Sequence, residues 1–211
     1  MRKIGVLFDL DGVLIDSESL YTGFWSGIDR DYPTGIPDFA RFIKGSTLDK
    51  IMGYFPSEQV REDILDRIRE FEKGMKYEMF DGVAAFLDDL AANNIPAAVV
   101  TSSSDRKMDR VYAQLPGFRD RFAAIVTGSM VSRSKPDPQG YLMGAEAIGC
   151  APADCYVFED SMSGLQAGNA AGATVVGLAT TLPRETLEGH AHRIIDSFVG
   201  FDVRMMLGIS R

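Results

Sequence analysis

The alternation of short apolar runs with helix-forming segments is the feature of this 211-residue sequence that most restricts its fold. Apolar runs rich in β-branched residues are typical of buried strands, and the segments between them carry apolar side chains at helical intervals. The predicted strands are residues 4–8, 95–100, 123–127, 155–158, 174–177 and 193–195. Strands that alternate with helices pair in parallel and are covered on both faces. The predicted fold is therefore α/β, with a doubly wound parallel sheet.

Residues 16–79 interrupt this alternation. They show helical spacing and no convincing strand pattern. Most of the aromatic side chains there are expected to pack inside the insertion, and the alternative for each is to face the substrate: Tyr21, Phe24, Trp25 and Phe42. The predicted organisation is a core formed by residues 1–15 and 80–211, with a small all-helical insertion, residues 16–79, after the first strand.

Two carboxylates, Asp9 and Asp11, follow the first predicted strand and precede Gly12. Side chains alternate along extended backbone, so residues at i and i+2 can point into the same small site. Two acids held this close repel each other unless a cation or a shared proton relieves them. The pair indicates a reactive site at the end of this strand, and turn-capping aspartates are the structural alternative.

Polar residues also follow two other predicted strands and occupy one later loop. Thr101 and Ser102 follow the second strand, Lys135 lies in a loop, and Glu159 and Asp160 follow the fourth strand. Each has an ordinary structural explanation as a helix cap, a solvated lysine or a surface turn. In a doubly wound sheet, however, the carboxyl ends of the strands converge on one crevice. Their joint placement predicts a single site.

Composition excludes several classes of function. A net charge of −8 argues against a nucleic-acid-binding surface, which needs clustered Lys and Arg. The sequence contains no run of eighteen apolar residues, so no membrane span is expected. The amino-terminal residues lead directly into a core strand, which does not fit a cleavable signal and favours the cytoplasm. Cys150 and Cys155 match neither a redox nor a zinc spacing and are expected to be small apolar residues.

In their order, these motifs resemble those of the haloacid dehalogenase-like superfamily of phosphohydrolases. The first motif matches as Asp9-Leu10-Asp11-Gly12-Val13, the second as Thr101, the third as Lys135 and the fourth as Glu159-Asp160-Ser161. The glycine- and alanine-rich segment 159–172 is similar to the subfamily that contains β-phosphoglucomutase and many sugar-phosphate phosphatases. The resemblance implies a Rossmann-like phosphohydrolase core, with the helical insertion as a cap that closes over the crevice.

The resemblance also implies a role for each motif residue. Asp9 would attack phosphorus and form an aspartyl-phosphate. Asp11 would protonate the leaving oxygen and then deprotonate water, for which its acidic neighbours would have to raise its pKa. Thr101 and Ser102 would hydrogen-bond the phosphate, and Lys135 would supply fixed positive charge. The implied cofactor is Mg²⁺, held by Asp9, Asp11 (through its backbone carbonyl), Glu159 and Asp160.

Two features favour hydrolysis over intramolecular transfer of the phosphoryl group. The β-phosphoglucomutase pattern has His where this chain has Tyr21, and Arg after the cap glycine where this chain has Gly45-Ser46-Thr47-Leu48. The expected function is a Mg²⁺-dependent phosphatase, monomeric or weakly dimeric, acting on a small phosphorylated metabolite, in the first place a sugar phosphate. A phosphosugar mutase is the alternative. A catalytically idle binding relative is the second alternative, although the four motifs are intact.

Overall fold

The computed structural model describes residues 3–210, apart from the side chains of Glu18 and Ser19. The described residues form one sheet of six parallel strands in the order β3-β2-β1-β4-β5-β6. The strands are β1 Gly5–Phe8, β2 Ala97–Val100, β3 Ala124–Val126, β4 Cys155–Glu159, β5 Thr174–Leu178 and β6 Arg193–Ile195. This is the order of a doubly wound sheet, in which the winding reverses between β1 and β4. The predicted fold class is confirmed.

Ten α-helices are found in the described part of the chain. Those between β1 and β2 that belong to the insertion are α1 Glu18–Asp31, α2 Phe39–Phe42, α3 Leu48–Met52 and α4 Glu58–Gly74. Those of the core are α5 Val83–Ala92, α6 Asp105–Gln114, α7 Gln139–Ala147, α8 Met162–Ala170, α9 Arg184–Leu187 and α10 Val203–Leu207. None of the ten has both the length and the apolar character that crossing a membrane requires.

Helices bury both faces of the sheet. Along β1, Val6 and Phe8 point to one face, and Leu7 points to the other, as the alternation of an extended strand requires. The first face packs against α5, α6 and α10, and the second packs against α7, α8 and α9. This double burial is the reason why the strands are continuous apolar runs. Cys150 and Cys155 are buried free thiols, as predicted.

Aromatic rings pack together at the ends of β1 and β4, the two central strands that carry the acids. Phe8 stacks on Phe158 with ring centroids 5.1 Å apart, and Phe86 of α5 packs on both rings. Each such contact stabilises the fold by roughly 0.5–1.5 kcal/mol beyond the area it buries. Phe8 and Phe158 directly precede Asp9 and Glu159 in the chain, so this cluster fixes the backbone from which both acids project.

The four helices of the insertion share an apolar cluster of their own, which includes Trp25, Phe39 and Ile64. The chain leaves the sheet and returns to it through a narrow neck, where Ile15 and Met79 form an antiparallel bridge. Because this bridge closes the neck, we propose that the cap extends over residues 16–79.

Candidate active site

The carboxyl ends of β1, β2 and β4 form the floor of the site. Phe8 lies opposite Phe158 in the sheet, and the backbone amide of Asp9 donates to the Phe158 carbonyl at 3.0 Å. On the other side of β1, β2 ends at Val100, directly before Thr101. Because β1 and β4 flank the point where the winding reverses, the residues that follow them meet in the crevice where doubly wound folds bind ligands.

Lys135 joins the ends of three strands. Its ammonium donates to Asp9 Oδ1 and to Glu159 Oε1, each at 2.5 Å, and to the Val100 carbonyl at 3.2 Å. Only 6% of Lys135 is exposed, so it is a fixed positive charge rather than a solvated loop lysine. Burial and the charge of Glu159 raise the pKa of Asp9 above its usual range, although Lys135 opposes this shift. The structure thus brings together three residues predicted from separate motifs.

Glu159 is fully buried, and both of its oxygens accept hydrogen bonds. Oε1 accepts from the Tyr141 hydroxyl at 2.7 Å as well as from Lys135. Oε2 accepts from the backbone amides of Asp160 and Ser161 and from the Ser161 hydroxyl, at 3.0 to 3.2 Å. Glu159 therefore orients Lys135 and holds the turn that carries Asp160. No sequence pattern indicated Tyr141, which lies on the buried apolar face of α7.

Gly164 of α8 packs directly against the Glu159 side chain. An added methyl group would lie 1.8 Å from Glu159 Cδ, and the hydrogen bonds of this carboxylate prevent it from moving aside. We expect Gly164→Ala to lower the free energy of unfolding by roughly 1–3 kcal/mol, the usual cost of overpacking a core. Activity should also fall, because Lys135 moves with Glu159. Urea unfolding and phosphate release measure the two effects.

Gly23→Ala in α1 is the matched control, since nothing lies within 4 Å of a methyl group added there. This helical substitution is expected to leave stability unchanged or to raise it by roughly 0.4–1 kcal/mol. Equal stability of the two variants would contradict the packing argument for Gly164.

Asp11 is held by three side chains that come from three segments. Ser17 and Lys107 donate to Oδ1, and Ser103 donates to Oδ2 at 2.7 Å. Burial opposes the charge on Asp11, but the ion pair with Lys107 and the hydrogen bonds outweigh it and lower the pKa of Asp11. The prediction that acidic neighbours raise this pKa is therefore wrong, because it did not include Lys107. No sequence signal indicated Lys107, since a lysine in an amphipathic helix is normally solvated.

Thr101 and the amides near Ser102, which are predicted to bind phosphate, line the cavity together with Asp9 and Asp11. Thr101 is buried, and its Oγ1 accepts from the backbone amide of Ser103 at 3.0 Å, which shapes the turn after β2. The Ser102 hydroxyl donates to the Gly45 carbonyl of the cap at 2.8 Å. The second motif thus lines the same cavity as Asp9 and Asp11 and contacts the cap.

A cluster of carboxylates fits a hard divalent cation. Asp9, Glu159 and Asp160 each place an oxygen within 4.8 Å of the others. Asp160 Oδ2 packs against the backbone of Gly12, where a side chain would approach it to 2.1 Å. Glycine at this position, with φ +78°, therefore allows the turn after β1 to lie against Asp160. An all-oxygen set of this kind suits Mg²⁺ rather than a metal that prefers nitrogen or sulfur ligands.

The cap encloses a cavity of about 120 Å³ above these residues. The polar floor and apolar side chains of the cap line this cavity together. The apolar cap residues are Trp25, Ala40, Ile43, Leu48, Ile51 and Ile68. Two hydrogen bonds fasten the cap loop over the site: Ser102 to the Gly45 carbonyl, and Ser163 to the Lys44 carbonyl, each at 2.8 Å. A single water occupies about 10–15 Å³ on this scale, so the cavity suits a small molecule.

The aromatic residues of the insertion differ in their environments. Phe24 stacks on Phe71 with centroids 4.8 Å apart, and Trp25 is buried in the cap cluster, as predicted for both. Tyr21 lines the cavity, and its hydroxyl donates to Glu72 at 3.2 Å. Phe42 is 55% exposed and packs edge-on against Tyr54 at the surface, so it is the one of the four that lies outside the cap core and the cavity.

Comparison with known proteins agrees with this arrangement. A family model described as haloacid dehalogenase-like hydrolase matches residues 6–178, which include the four motifs and the whole insertion. The chain belongs to the haloacid dehalogenase-like hydrolases. It is an enzyme of the phosphatase type within this family.

Two relatives within the haloacid dehalogenase-like hydrolases are phosphatases. Hexitol phosphatase A of Escherichia coli K12 is 33% identical over 191 residues, 88% of this chain and 87% of the relative. The phosphorylated carbohydrates phosphatase of Thermotoga maritima is 32% identical over 177 residues, 79% of this chain and 81% of the relative. The crystal structure of β-phosphoglucomutase from Clostridium difficile superposes with a TM-score of 0.78 over 98% of this chain and 96% of that one. At 23% identity, this likeness shows the fold.

Proposed function

We propose that the protein is a Mg²⁺-dependent phosphatase that hydrolyses a small sugar phosphate through an aspartyl-phosphate on Asp9. The observation that carries this proposal is the position of Asp9. Its carboxylate projects from the end of β1 into the capped cavity, is held by Lys135 at 2.5 Å, and lies beside Asp160 and Glu159.

Hydrolysis on this geometry takes two steps. In the first, an Asp9 oxygen attacks phosphorus, the bond from phosphorus to the ester oxygen breaks, and Asp11 gives a proton to the departing oxygen. Asp11 must therefore be protonated in the substrate complex, against the lowering of its pKa by Lys107. In the second, Asp11 takes a proton from water, the water oxygen attacks phosphorus, and Asp9 is released with free phosphate. Lys135 stays protonated throughout and neutralises charge on the phosphoryl oxygens, while Thr101 and the amides near Ser102 hydrogen-bond them.

Of the acids in the cluster, Asp9 and Asp160 would hold the cation together with the Asp11 backbone carbonyl. A bound Mg²⁺ supplies the positive charge that lets an anionic carboxylate approach an anionic phosphate. The roles within this set differ, because both oxygens of Glu159 already accept hydrogen bonds. We therefore assign Glu159 to orienting Lys135 and the Asp160 turn, in support of the cation site rather than at its centre.

The size of the cavity and the relatives support a sugar phosphate as substrate. The cavity is small, and the Escherichia coli and Thermotoga maritima relatives are named for hexitol and carbohydrate phosphates. Transfer within the sugar, as in the mutase alternative, would require the cap to hold the intermediate for a second attack. Tyr21, where the mutase pattern has His, hydrogen-bonds Glu72 instead.

We expect phosphate release from hexitol phosphates and other sugar phosphates to require Mg²⁺. EDTA should lower the rate by roughly 10²-fold or more, the usual size of a lost electrostatic stabilisation, and added Mg²⁺ should restore it. The measurement is a panel of sugar phosphates, nucleotides, phosphoglycolate and pyrophosphate, with a parallel assay for isomerisation of β-glucose 1-phosphate. Isomerisation without phosphate release would establish the mutase instead. No activity in either assay would favour a catalytically idle binding protein.

A further inference from the structure

Lys107 is a buried lysine to which neither the motifs nor the proposed steps assign a role. It lies in the first turn of α6, directly after the turn of Thr101 and Ser102, and only 3% of it is exposed. Burying an ammonium is costly unless a partner compensates its charge. Its partner is Asp11, whose Oδ1 accepts from Lys107 Nζ. Lys107 thus places its charge on the proposed acid and base, not on Asp9, which Lys135 contacts.

The contacts of Asp11 fix both carboxylate oxygens. Ser17 shares Oδ1 with Lys107, and Ser103 occupies Oδ2 at 2.7 Å. A serine hydroxyl can rotate away or donate elsewhere, whereas the lysine adds a buried charge that cannot leave without a large cost. Lys107 is therefore the contact that most restricts the orientation of this carboxylate.

Two tyrosine rings hold the ammonium of Lys107 in place. Its Nζ lies 4.2 Å from the centroid of the Tyr21 ring and 6.0 Å from that of Tyr77. Both distances fall within the range of cation–π attraction. Tyr21 belongs to cap helix α1, and its hydroxyl donates to Glu72 of cap helix α4, which also accepts from Arg106 of α6 at 2.9 Å. The surroundings of Lys107 are thus complete only when the cap lies against α6.

We propose that Lys107 is a positioning residue that holds Asp11 as a charged carboxylate in one orientation, the form that takes a proton from the attacking water. This inference rests on the proposed function, since it assigns Lys107 a part in the second of the two steps. The lysine acts through Asp11 and does not itself contact the transferred group. A misplacement of about 1 Å can cost 10²-fold in rate, which sets the expected size of the effect.

The first test compares Lys107→Met with the wild-type protein. Met keeps the length and apolar stem of the side chain and removes the charge. We expect kcat for a hexitol phosphate to fall about 10²-fold while KM changes less than about threefold, because Lys107, although it lines the cavity, directs its charge to Asp11. Lys73→Met is the control, since Lys73 pairs with Glu70 on the exposed face of α4. It should keep wild-type kinetics.

The second test is a double-mutant cycle with Asp11→Asn. If Lys107 acts only through Asp11, then Lys107→Met has no further effect on kcat once Asp11 is replaced, because residues that act as a unit are not additive. If Lys107 contacts the phosphate or supports the site more generally, the two losses multiply. The double variant removes both charges of the buried pair, so it leaves no unpaired charge. It can therefore still be compared with Asp11→Asn if Lys107→Met alone does not fold.

The outcomes separate the two proposals. A reduced kcat in Lys107→Met together with equal kcat of Asp11→Asn and the double variant supports the positioning role. Wild-type kinetics in Lys107→Met, a loss confined to KM, or a further loss in the double variant overturns it and leaves the phosphatase proposal intact. Absence of Mg²⁺-dependent release from the wild-type protein across the panel overturns the proposed function, and the role of Lys107 falls with it.

Discussion

Replacing Asp9 by asparagine is expected to abolish phosphate release and leave the fold intact. The amide oxygen of Asn is a poor nucleophile, so no aspartyl-phosphate can form, and loss of a covalent nucleophile typically lowers kcat by about 10⁴-fold or more. The side chains are almost the same size, and Lys135 keeps its bond to Glu159 at 2.5 Å. Burial and Glu159 already raise the pKa of Asp9, so removing its charge relieves repulsion between the acids.

The measurement has three parts: phosphate release, thermal unfolding, and the mass of acid-quenched protein. Wild-type protein mixed with substrate should gain the mass of one phosphoryl group, and Asp9→Asn should not. Asp66→Asn is the control, because this acid of α4 is 73% exposed and lies outside the cavity. Substantial turnover by Asp9→Asn would contradict the covalent mechanism, even if the wild-type protein is a phosphatase.

The floor of the site could be predicted from sequence because it depends on strand ends. The run before Asp9 and the run before Glu159 are both continuous and apolar, so both had to be buried parallel strands. In a doubly wound sheet, their carboxyl ends lie at one edge whatever the details of the helices. A prediction at this level needs only the alternation of apolar strands and helices along the chain, which can be read from the sequence.

The walls of the site could not be predicted in the same way. Lys107, Tyr141 and Glu72 lie on helices whose apolar spacing indicates only which face is buried. Whether a long polar side chain is solvated or reaches an acid depends on how the helix packs, and that is decided by tertiary contacts. The pKa of Asp11 follows this rule: its acidic neighbours are visible in the motif, while the lysine that lowers the pKa against the effect of burial is 96 residues away.

Replacing Lys135 by methionine is expected to remove activity and to destabilise the protein strongly. The ammonium lies between Asp9 and Glu159, and all three side chains are buried. Removing one partner of a buried ionic network leaves the others without compensation, which typically costs about 3–5 kcal/mol. The phosphoryl oxygens also lose their fixed charge, so kcat should fall by roughly 10²–10³-fold. Urea unfolding and phosphate release measure the two losses.

A second substitution separates these two roles of Lys135. Adding Glu159→Gln to Lys135→Met removes one of the two stranded charges, so part of the lost stability should return. Activity should not return, because no cation then faces the phosphoryl oxygens. Unchanged stability of Lys135→Met would show that the network is solvated rather than buried. Recovery of activity in the double variant would show that Lys135 serves only to neutralise Glu159, and the electrostatic role in catalysis would have to be assigned to another residue.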